Sequence, residues 1–437
     1  MNNWRSYYQE RLTTASQAVR LVKSGDLIVF SHACGEPRRL PGELVKRAAE
    51  LVDVKIFHMV PMGAAPYCLP EYATSFRHIS LFAGAPTRKA LSESRADYVP
   101  CFFNRVPSLL GAQFPVDVAM VTVSPPDDNG YCSLGVSVDF TLKAVNEARL
   151  VICEVNPFMP RTHGHSFVHV EEMDCFVEVE EPIYELNIGE MSEVESKIGQ
   201  NIAGLIDDGA CLQLGIGGIP DAVLFYLEGF KDLGIHSEMI SNGVMDLVEK
   251  GVITCRRKNL HQGRIVVTFM MGSRAFYDWV DDNPFIEMHP VDYVNNPCVI
   301  AQNHNMISIN SALEVDLLGQ VCADTLGPNQ YSGVGGQVDF VRGAQMSEGG
   351  KAIIALPSTA KGGAVSRIVP RLTDYSAVTT SRNDVDFVVS EYGVAALKGK
   401  TVRQRIQALI SIAHPDCREE LDRQAAENIY KPNTKQQ

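Results

Sequence analysis

The sequence predicts an α/β protein built as two tandem, related α/β domains with largely parallel sheets. Three observations carry this reading. Short β-branched runs alternate with helical stretches along the whole chain, the pattern of repeated βαβ units. At 437 residues the chain is too long for one ordinary core. The two halves also repeat one another's punctuation.

The candidate strands of the first half are Leu27–Ser31, Val54–Met59, Val118–Val123 and Leu150–Glu154. Those of the second are Cys211–Leu214, Ile265–Met270, Met306–Ile309, Ala352–Leu356 and Phe387–Ser390. Few polar residues alternate within them, so they suit strands covered on both faces. The repeat lies in the surroundings. SGDLIVFSHACGEP (24–37) parallels DGACLQLGIGGIP (208–220), each with small residues after a strand. VDVAMVTVSPPDDNGYCSLGVSVDF (116–140) parallels MISINSALEVDLLGQ (306–320) followed by SGVGGQVDF (332–340). RLVICEVNP (149–157) parallels KAIIALPS (351–358). The expected domains are 1–190 and 191–437, joined near 185–195. Thr401 is placed to cap a helix over VRQRIQALISIA; a charged helix follows, and KPNTKQQ at the end is expected to fray.

Composition narrows the function classes. An apolar fraction of 45% and a charged fraction of 21% are globular values. Thirty-nine basic residues against 52 acidic ones give −13. No basic block stands out, so nucleic acid and anionic membranes are poor partners. MNNWRSYYQERL lacks the apolar core of a signal peptide, and no run reaches the length of a membrane span. The eleven cysteines are scattered, with no CxxC pair. That argues for a reducing cytoplasm and against a zinc ribbon.

Two motifs carry the chemistry. The turn LQLGIGGIP (212–220) reads as strand, glycine loop, then a helix opened by Pro220; such a loop offers N–H groups and a helix N-terminus to an anion. On pattern alone it equally fits a tight turn with no ligand. A dinucleotide fingerprint is disfavoured because Pro220 replaces the third glycine, and a Walker A loop lacks its Gly-Lys-Ser/Thr. GVGGQ (333–337) fails the same tests. The second motif is GIHSEMISNG (234–243), where Glu238 sits among Ile235, Met239 and Ile240. A glutamate there is either paired with an unseen arginine or functional, with a raised pKa. A carboxylate becomes a useful nucleophile where water is excluded and the oxyanion it creates is stabilised.

Together with SPPDDNGYCSLGVSVD (124–139), IHSEMISNGVMDL (235–247), VDYVNNP (291–297), GVGGQVDFVRGA (333–344) and TTSRNDVDFVVSEYGVA (379–395), these blocks resemble the class I coenzyme A transferases over essentially the whole chain. The likeness is to the acetyl-CoA hydrolase/transferase family, in its 4-hydroxybutyrate and butyryl-CoA:acetate branch. The resemblance implies that Glu238 is the covalent catalyst. It implies that Gly215, Ile216, Gly217, Gly218 and Ile219 bind coenzyme A and lend an N–H to the oxyanion hole. Gly333, Gly335 and Gly336 would lie across the site and supply the other donor. Asn295, Asn310 and Lys361 fall in blocks that meet the coenzyme, and His32 and Glu36 are expected to line the carboxylate-substrate pocket.

The implied activity moves coenzyme A between a short-chain acyl-CoA, 4-hydroxybutyryl-CoA or butyryl-CoA, and acetate. It runs by ping-pong through a glutamyl-CoA thioester, with no metal or permanently bound cofactor and coenzyme A only as substrate. The implied protein is a cytoplasmic homodimer. ACGEPRRL (33–40) and VPMGAAPYCLP (60–70) depart from that branch and leave the acyl group open. An acyl-CoA hydrolase of the same fold is the alternative; a nucleotide-binding oxidoreductase or regulatory module is opposed by the degenerate glycine turns. His163, His165 and His169 crowd together as metal ligands do, but lack cysteine or carboxylate partners at ligand spacing. Hydrogen-bonding roles near the acyl pocket are expected for them instead. His32 and Cys34 share a strand face, a spacing that rarely makes a nucleophilic pair.

Overall fold

A computed structural model describes residues 4–186 and 189–429; the expected fraying of KPNTKQQ lies outside them. Two parallel sheets dominate. The first is built from β1 (Leu27–Phe30), β2 (Val54–Phe57), β3 (Phe76–Ser80), β4 (Ala96–Tyr98), β5 (Val118–Val123), β6 (Leu150–Val155) and β7 (Cys175–Glu178). Its order is β7-β6-β5-β1-β2-β3-β4, and every pair is parallel. The second sheet uses β8 (Cys211–Gln213), β9 (Gly234–Ile235), β10 (Met306–Ser311), β11 (Lys351–Ala355), β12 (Phe387–Ser390) and β13 (Gly393–Ala396). Its order is β9-β8-β10-β11-β12-β13, parallel except for the last pair.

The repeated punctuation has a topological counterpart. The run β2-β1-β5-β6-β7 in the first sheet matches β9-β8-β10-β11-β12 in the second, strand for strand. Helices α1 (Thr141–Glu147) and α4 (Gln337–Met346) take the same crossover in each half. Between them in the chain come α2 (Glu193–Ala203), capped by a Ser192–Glu195 box, and α3 (Gly218–Tyr226). Thr401 caps α5 (Val402–Ser411) through a box with Gln404, and α6 (Pro415–Asn428) follows.

The strands are apolar because they are covered on both faces. All six residues of β5 are buried, as are all four of β1. The division expected near 185–195 falls between β7 and β8, but the halves are not separate cores. One buried cluster joins Val29, Phe57 and Val121 to Leu212, Ile235 and Ile353. A small parallel sheet crosses the division too: 163–164 pairs with 286–288, which pairs with 265–267. Gly164 is required there, since its φ is +92° and a Cβ would stand 2.3 Å from the Met288 carbonyl oxygen.

Two expectations need correction. Ile265–Met270 is not one strand. It breaks at Thr268, because 265–267 pairs with 286–288 while 269–270 pairs with 239–240. Pro220 does not open its helix; α3 begins at Gly218, with Pro220 third in the first turn, where its missing N–H is still not needed.

Candidate active site

The order β9-β8-β10 sends consecutive connections from β8 to opposite sides, which opens a crevice at the carboxyl ends of these strands. β8 ends there at Gln213 and the glycine turn begins. The two motifs are stitched together at this point. The Leu214 N–H donates to Ser237 Oγ at 3.3 Å, and that hydroxyl donates back to the Leu214 carbonyl at 3.1 Å. Glu238 is the next residue, in the short gap between β9 and the strand 239–240. Its backbone carbonyl accepts from the Thr268 and Phe269 N–H groups at 3.1 and 3.3 Å. The break at Thr268 therefore fixes the glutamate's position.

Glu238 as a residue is half-buried, and the partner of its carboxylate is an amide rather than an arginine. Asn295 Nδ2 donates to Oε2 at 2.6 Å. The Gly336 N–H also bonds to the carboxylate. Burial outweighs these hydrogen bonds and pushes the pKa up to about 7; His32 opposes the rise and Asp139 adds to it.

Gly336 must be glycine for reasons of space. Its φ is an ordinary −91°, but a Cβ would lie 1.9 Å from Glu238 Oε2 and 2.4 Å from Asn295 Nδ2. Gly335 has φ +52° and would place a Cβ 3.8 Å from Oε1. Gly333 packs on the first half, where a Cβ would meet the Leu81 carbonyl oxygen at 2.5 Å. The second glycine turn thus lies on the carboxylate and is wedged against residues 81–82.

The first turn is more open. Gly217 has φ +108° and nothing within 4 Å of a Cβ. Ile216 is exposed. A cleft of about 310 Å³ lies beside it, lined by Leu186, Gly189, Glu190, Glu195 and residues 216–218. Ile219 is buried as the second residue of α3.

The remaining expected residues divide. His32 lies near enough to Glu238 to oppose the rise in its pKa. Its ring packs edge-on to Phe269 at 4.5 Å, Nδ1 is 3.3 Å from Asp139 Oδ2, and Nε2 is buried with no partner among the described residues. Glu36 is buried, but its Oε2 accepts the Met62 and Gly63 N–H groups at 2.6 and 2.8 Å. That oxygen therefore clamps the 62–63 loop. Asn310, at the end of β10, bonds Gln213 at 3.0 Å and does not touch Glu238. Lys361 is exposed on a hairpin turn between 359–360 and 365–366 and is not among the groups touching Glu238. The three histidines do not converge. His163 pairs with Asp282 at 3.0 Å, His169 caps the turn 170–172, and His165 packs on His289.

Sequence reasoning missed Asp339, Asn104 and Asp139. Asp339 is buried, accepts the Asn104 N–H at 3.1 Å and bonds the Asn295 side chain. Burial and the nearby Glu238 push its pKa up to about 8. Asp139 accepts from the Phe140 and Thr141 amides, the Thr141 hydroxyl and Ser137 Oγ. For the two aspartates the available signal was the triplet Val-Asp-Phe at 138–140 and 338–340, each just before or at a helix start, although the triplet also occurs at 385–387, where it leads into a strand; Asn104 carried no local signal.

Comparison with known proteins gives a consistent result. The acetyl-CoA hydrolase/transferase N-terminal domain matches residues 1–185, and the C-terminal domain of the same family matches 272–425. A 4-hydroxybutyrate coenzyme A transferase of Clostridium kluyveri is 56% identical over 96% of this chain and 98% of its own. A succinyl-CoA:cyclohexane-1-carboxylate CoA transferase of Geobacter metallireducens is 46% identical over 96% and 97%. The crystal structure of RipA from Yersinia pestis superposes with a TM-score of 0.94 at 39% identity, covering 97% of this chain and 99% of that one.

Two measurements follow from this geometry. Gly336→Ala introduces no backbone strain but drives a methyl into the carboxylate. It is expected to lower kcat/KM by on the order of a hundredfold while the circular-dichroism melt stays within a few degrees; near-wild-type turnover would refute the close approach. Glu238→Gln is expected to stabilise the fold at neutral and higher pH. The folded pKa of about 7 lies above the usual 4.5, so the folded state binds the extra proton and stability falls as pH rises from 4.5 to 7. Each tenfold difference in proton affinity between the folded and unfolded chain is worth ~1.4 kcal/mol. Calorimetry should find the variant's Tm above wild type at pH 8 and equal to it near pH 4; a gap independent of pH would count against the raised pKa.

Proposed function

The chain belongs to the acetyl-CoA hydrolase/transferase family and is a coenzyme A transferase, and from that premise we propose that it exchanges coenzyme A between 4-hydroxybutyryl-CoA and acetate through a covalent thioester on Glu238. The observation carrying this reading is a carboxylate with no cation on it among the described residues, held by Asn295 and by the bare backbone at Gly336. That group is poised to ionise near neutrality and is too weakly solvated to rest inert.

In the proposed course, a Glu238 carboxylate oxygen attacks the thioester carbonyl. The C–S bond breaks, coenzyme A leaves as thiolate, and an acyl-glutamyl anhydride remains. The thiolate then attacks the Glu238 carboxyl carbon, expelling the first carboxylate and leaving a glutamyl-CoA thioester. The acceptor carboxylate attacks that thioester and the steps run in reverse. The Ile216 N–H and an N–H near Gly335 are assigned to the oxyanion. Their support is the stitch between Leu214 and Ser237 on one side and the closeness of Gly335 to Oε1 on the other.

The 310 Å³ cleft beside the first turn has Glu190 and Glu195 in its lining and no basic residue among the described ones. That suits the uncharged pantetheine arm rather than the diphosphate. His32, with an unpartnered Nε2 beside Phe269, is assigned to the acyl carboxylate. A carboxylate attacks a thioester poorly, so binding energy of the coenzyme's remote parts must appear in the transition state. A relative at 46% identity carries a different acyl name, so butyryl-CoA and succinyl-CoA are the informative competitors in an initial-rate survey. Homodimer assembly belongs to the same reading, supported by exposed apolar side chains at Leu326, Tyr331, Tyr375 and Val378. The reading is also of a cytoplasmic protein, supported by eleven free cysteines.

Incubating the enzyme with acyl-CoA and no acceptor, then adding borohydride, should inactivate it and alter the mass of the peptide holding Ile235–Gly243. Acetate added first should protect. An unaltered peptide, with intersecting rather than parallel double-reciprocal lines, would point to direct transfer. The pH profile gives an independent check. Glu238 must be ionised to attack, so kcat/KM should fall as pH drops through about 7. Asn295→Ala removes a hydrogen bond that favours the charged form, so its acid limb should move to higher pH; an unmoved limb would detach Asn295 from the nucleophile.

A further inference from the structure

Beside the strand 265–267, three side chains from two segments meet: His261 from just before that strand, and Glu287 and His289 from the paired strand 286–288 and its end. His261 Nδ1 is 2.7 Å from Glu287 Oε2, and His289 Nε2 is 3.4 Å from the same oxygen. The three donor atoms lie within 4.8 Å of one another. His289 is buried and the other two are part-exposed, so the cluster has a mouth to solvent. We propose that His261, Glu287 and His289 form a binding site for a divalent transition-metal ion of the zinc class, outside the catalytic crevice.

Two imidazoles and a carboxylate are an established zinc donor set. Tetrahedral coordination at 2.0–2.2 Å separates ligand atoms by roughly 3.4 Å. The His289 contact already has that spacing, and the His261 contact must open by roughly 0.7 Å, a small change for a part-exposed ring. The outer shell is in place as well. His261 Nε2 is 2.6 Å from the Tyr293 hydroxyl, the contact that fixes a ligand's tautomer and orientation. Arg264 Nε is 3.6 Å from Glu287 Oε1. It holds the other carboxylate oxygen, which makes Glu287 a one-oxygen ligand, and its charge weakens cation binding. The fourth position falls to water or to His165, whose ring centre is 4.9 Å from that of His289.

The ion would join the end of one strand to the start of another. The His289 N–H donates to the Val267 carbonyl at 2.9 Å, and Thr268 and Phe269 next carry the amides that hold Glu238. The proposed role is therefore to stiffen the segment behind the nucleophile. None of the ligands takes part in transfer.

The test uses the full chain stripped with EDTA and titrated with Zn2+ alone. Calorimetry should find one equivalent bound with a micromolar Kd and a Tm that rises with the ion. His261→Gln and His289→Gln should each weaken uptake by tenfold or more. His304→Gln, at an exposed histidine elsewhere, should leave it unchanged. If the ligand variants do not fold, Tyr293→Phe decides: it keeps all three ligands and should weaken binding by roughly tenfold, and unchanged affinity there overturns the site. No saturable one-to-one uptake by wild type, or uptake kept at full affinity in both histidine variants, also overturns it.

Discussion

A carboxylate drawn from water without a cation beside it is held against several kcal/mol of lost solvation, and the surroundings of Glu238 are organised around that constraint. An arginine would remove the penalty and the reactivity together. Instead the side chain has one amide at 2.6 Å and one backbone N–H. These orient it without neutralising it. The amide is itself constrained: Asn295 also bonds Asp339, a buried acid whose pKa of about 8 keeps it largely protonated at neutrality. The close approach of Gly336 follows from the same economy of space, because a backbone N–H reaches an oxygen only where no Cβ intervenes.

The matching topology of the two halves shows where these groups come from. The Val-Asp-Phe triplet lies at the start of the same crossover helix in each half. Asp339 in the second half faces Asn295, and Asp139 in the first faces His32. The strand-end loops after β1 and β8 are also equivalent. The second half has stripped its loop to glycines that expose backbone N–H groups. The loop of the first half carries side chains, among them His32. Two copies of one scaffold thus contribute complementary parts, with bare donors from one side and a ring backed by an acid from the other. The shared buried cluster and the strand pairing across 163–164 and 286–288 hold the two in register.

How far this was legible in the sequence depends on the range of each interaction. Central strands such as Val118–Val123 announce themselves because burial on both faces demands an unbroken apolar run. The strands Phe76–Ser80, Ala96–Tyr98 and Cys175–Glu178 were not among the candidates. They are short or carry Arg77, His78 and Asp97, as suits strands toward the sheet's edges. For Glu238 and the glycine turns the local pattern, a charge among apolar residues or glycines after a strand, left a structural and a functional reading both open, and the family resemblance of the surrounding blocks chose between them. Asn295 lay in a recognisable block, but its contact with Glu238 spans 57 positions, and no local pattern encodes that. Glu36 was expected at the substrate pocket from the resemblance alone; the Met62 and Gly63 amides that occupy its Oε2 lie 26 and 27 positions away, and no local pattern encodes them either.

The histidines show the same limit from another direction. THGHSFVH (162–169) draws attention because three rings are close in sequence, yet on and beside a strand such neighbours point to different faces. His163 pairs with Asp282, and His169 turns to its own capping turn. His165 alone of the three reaches the cluster that does assemble, whose other rings come from His261 and His289. Crowding along the chain is thus a poor guide to convergence in space, whereas the register of adjacent strands is a good one. His163 lies opposite Glu287, and this pairing of 163–164 with 286–288 brings the first half's histidine segment beside residues 287 and 289.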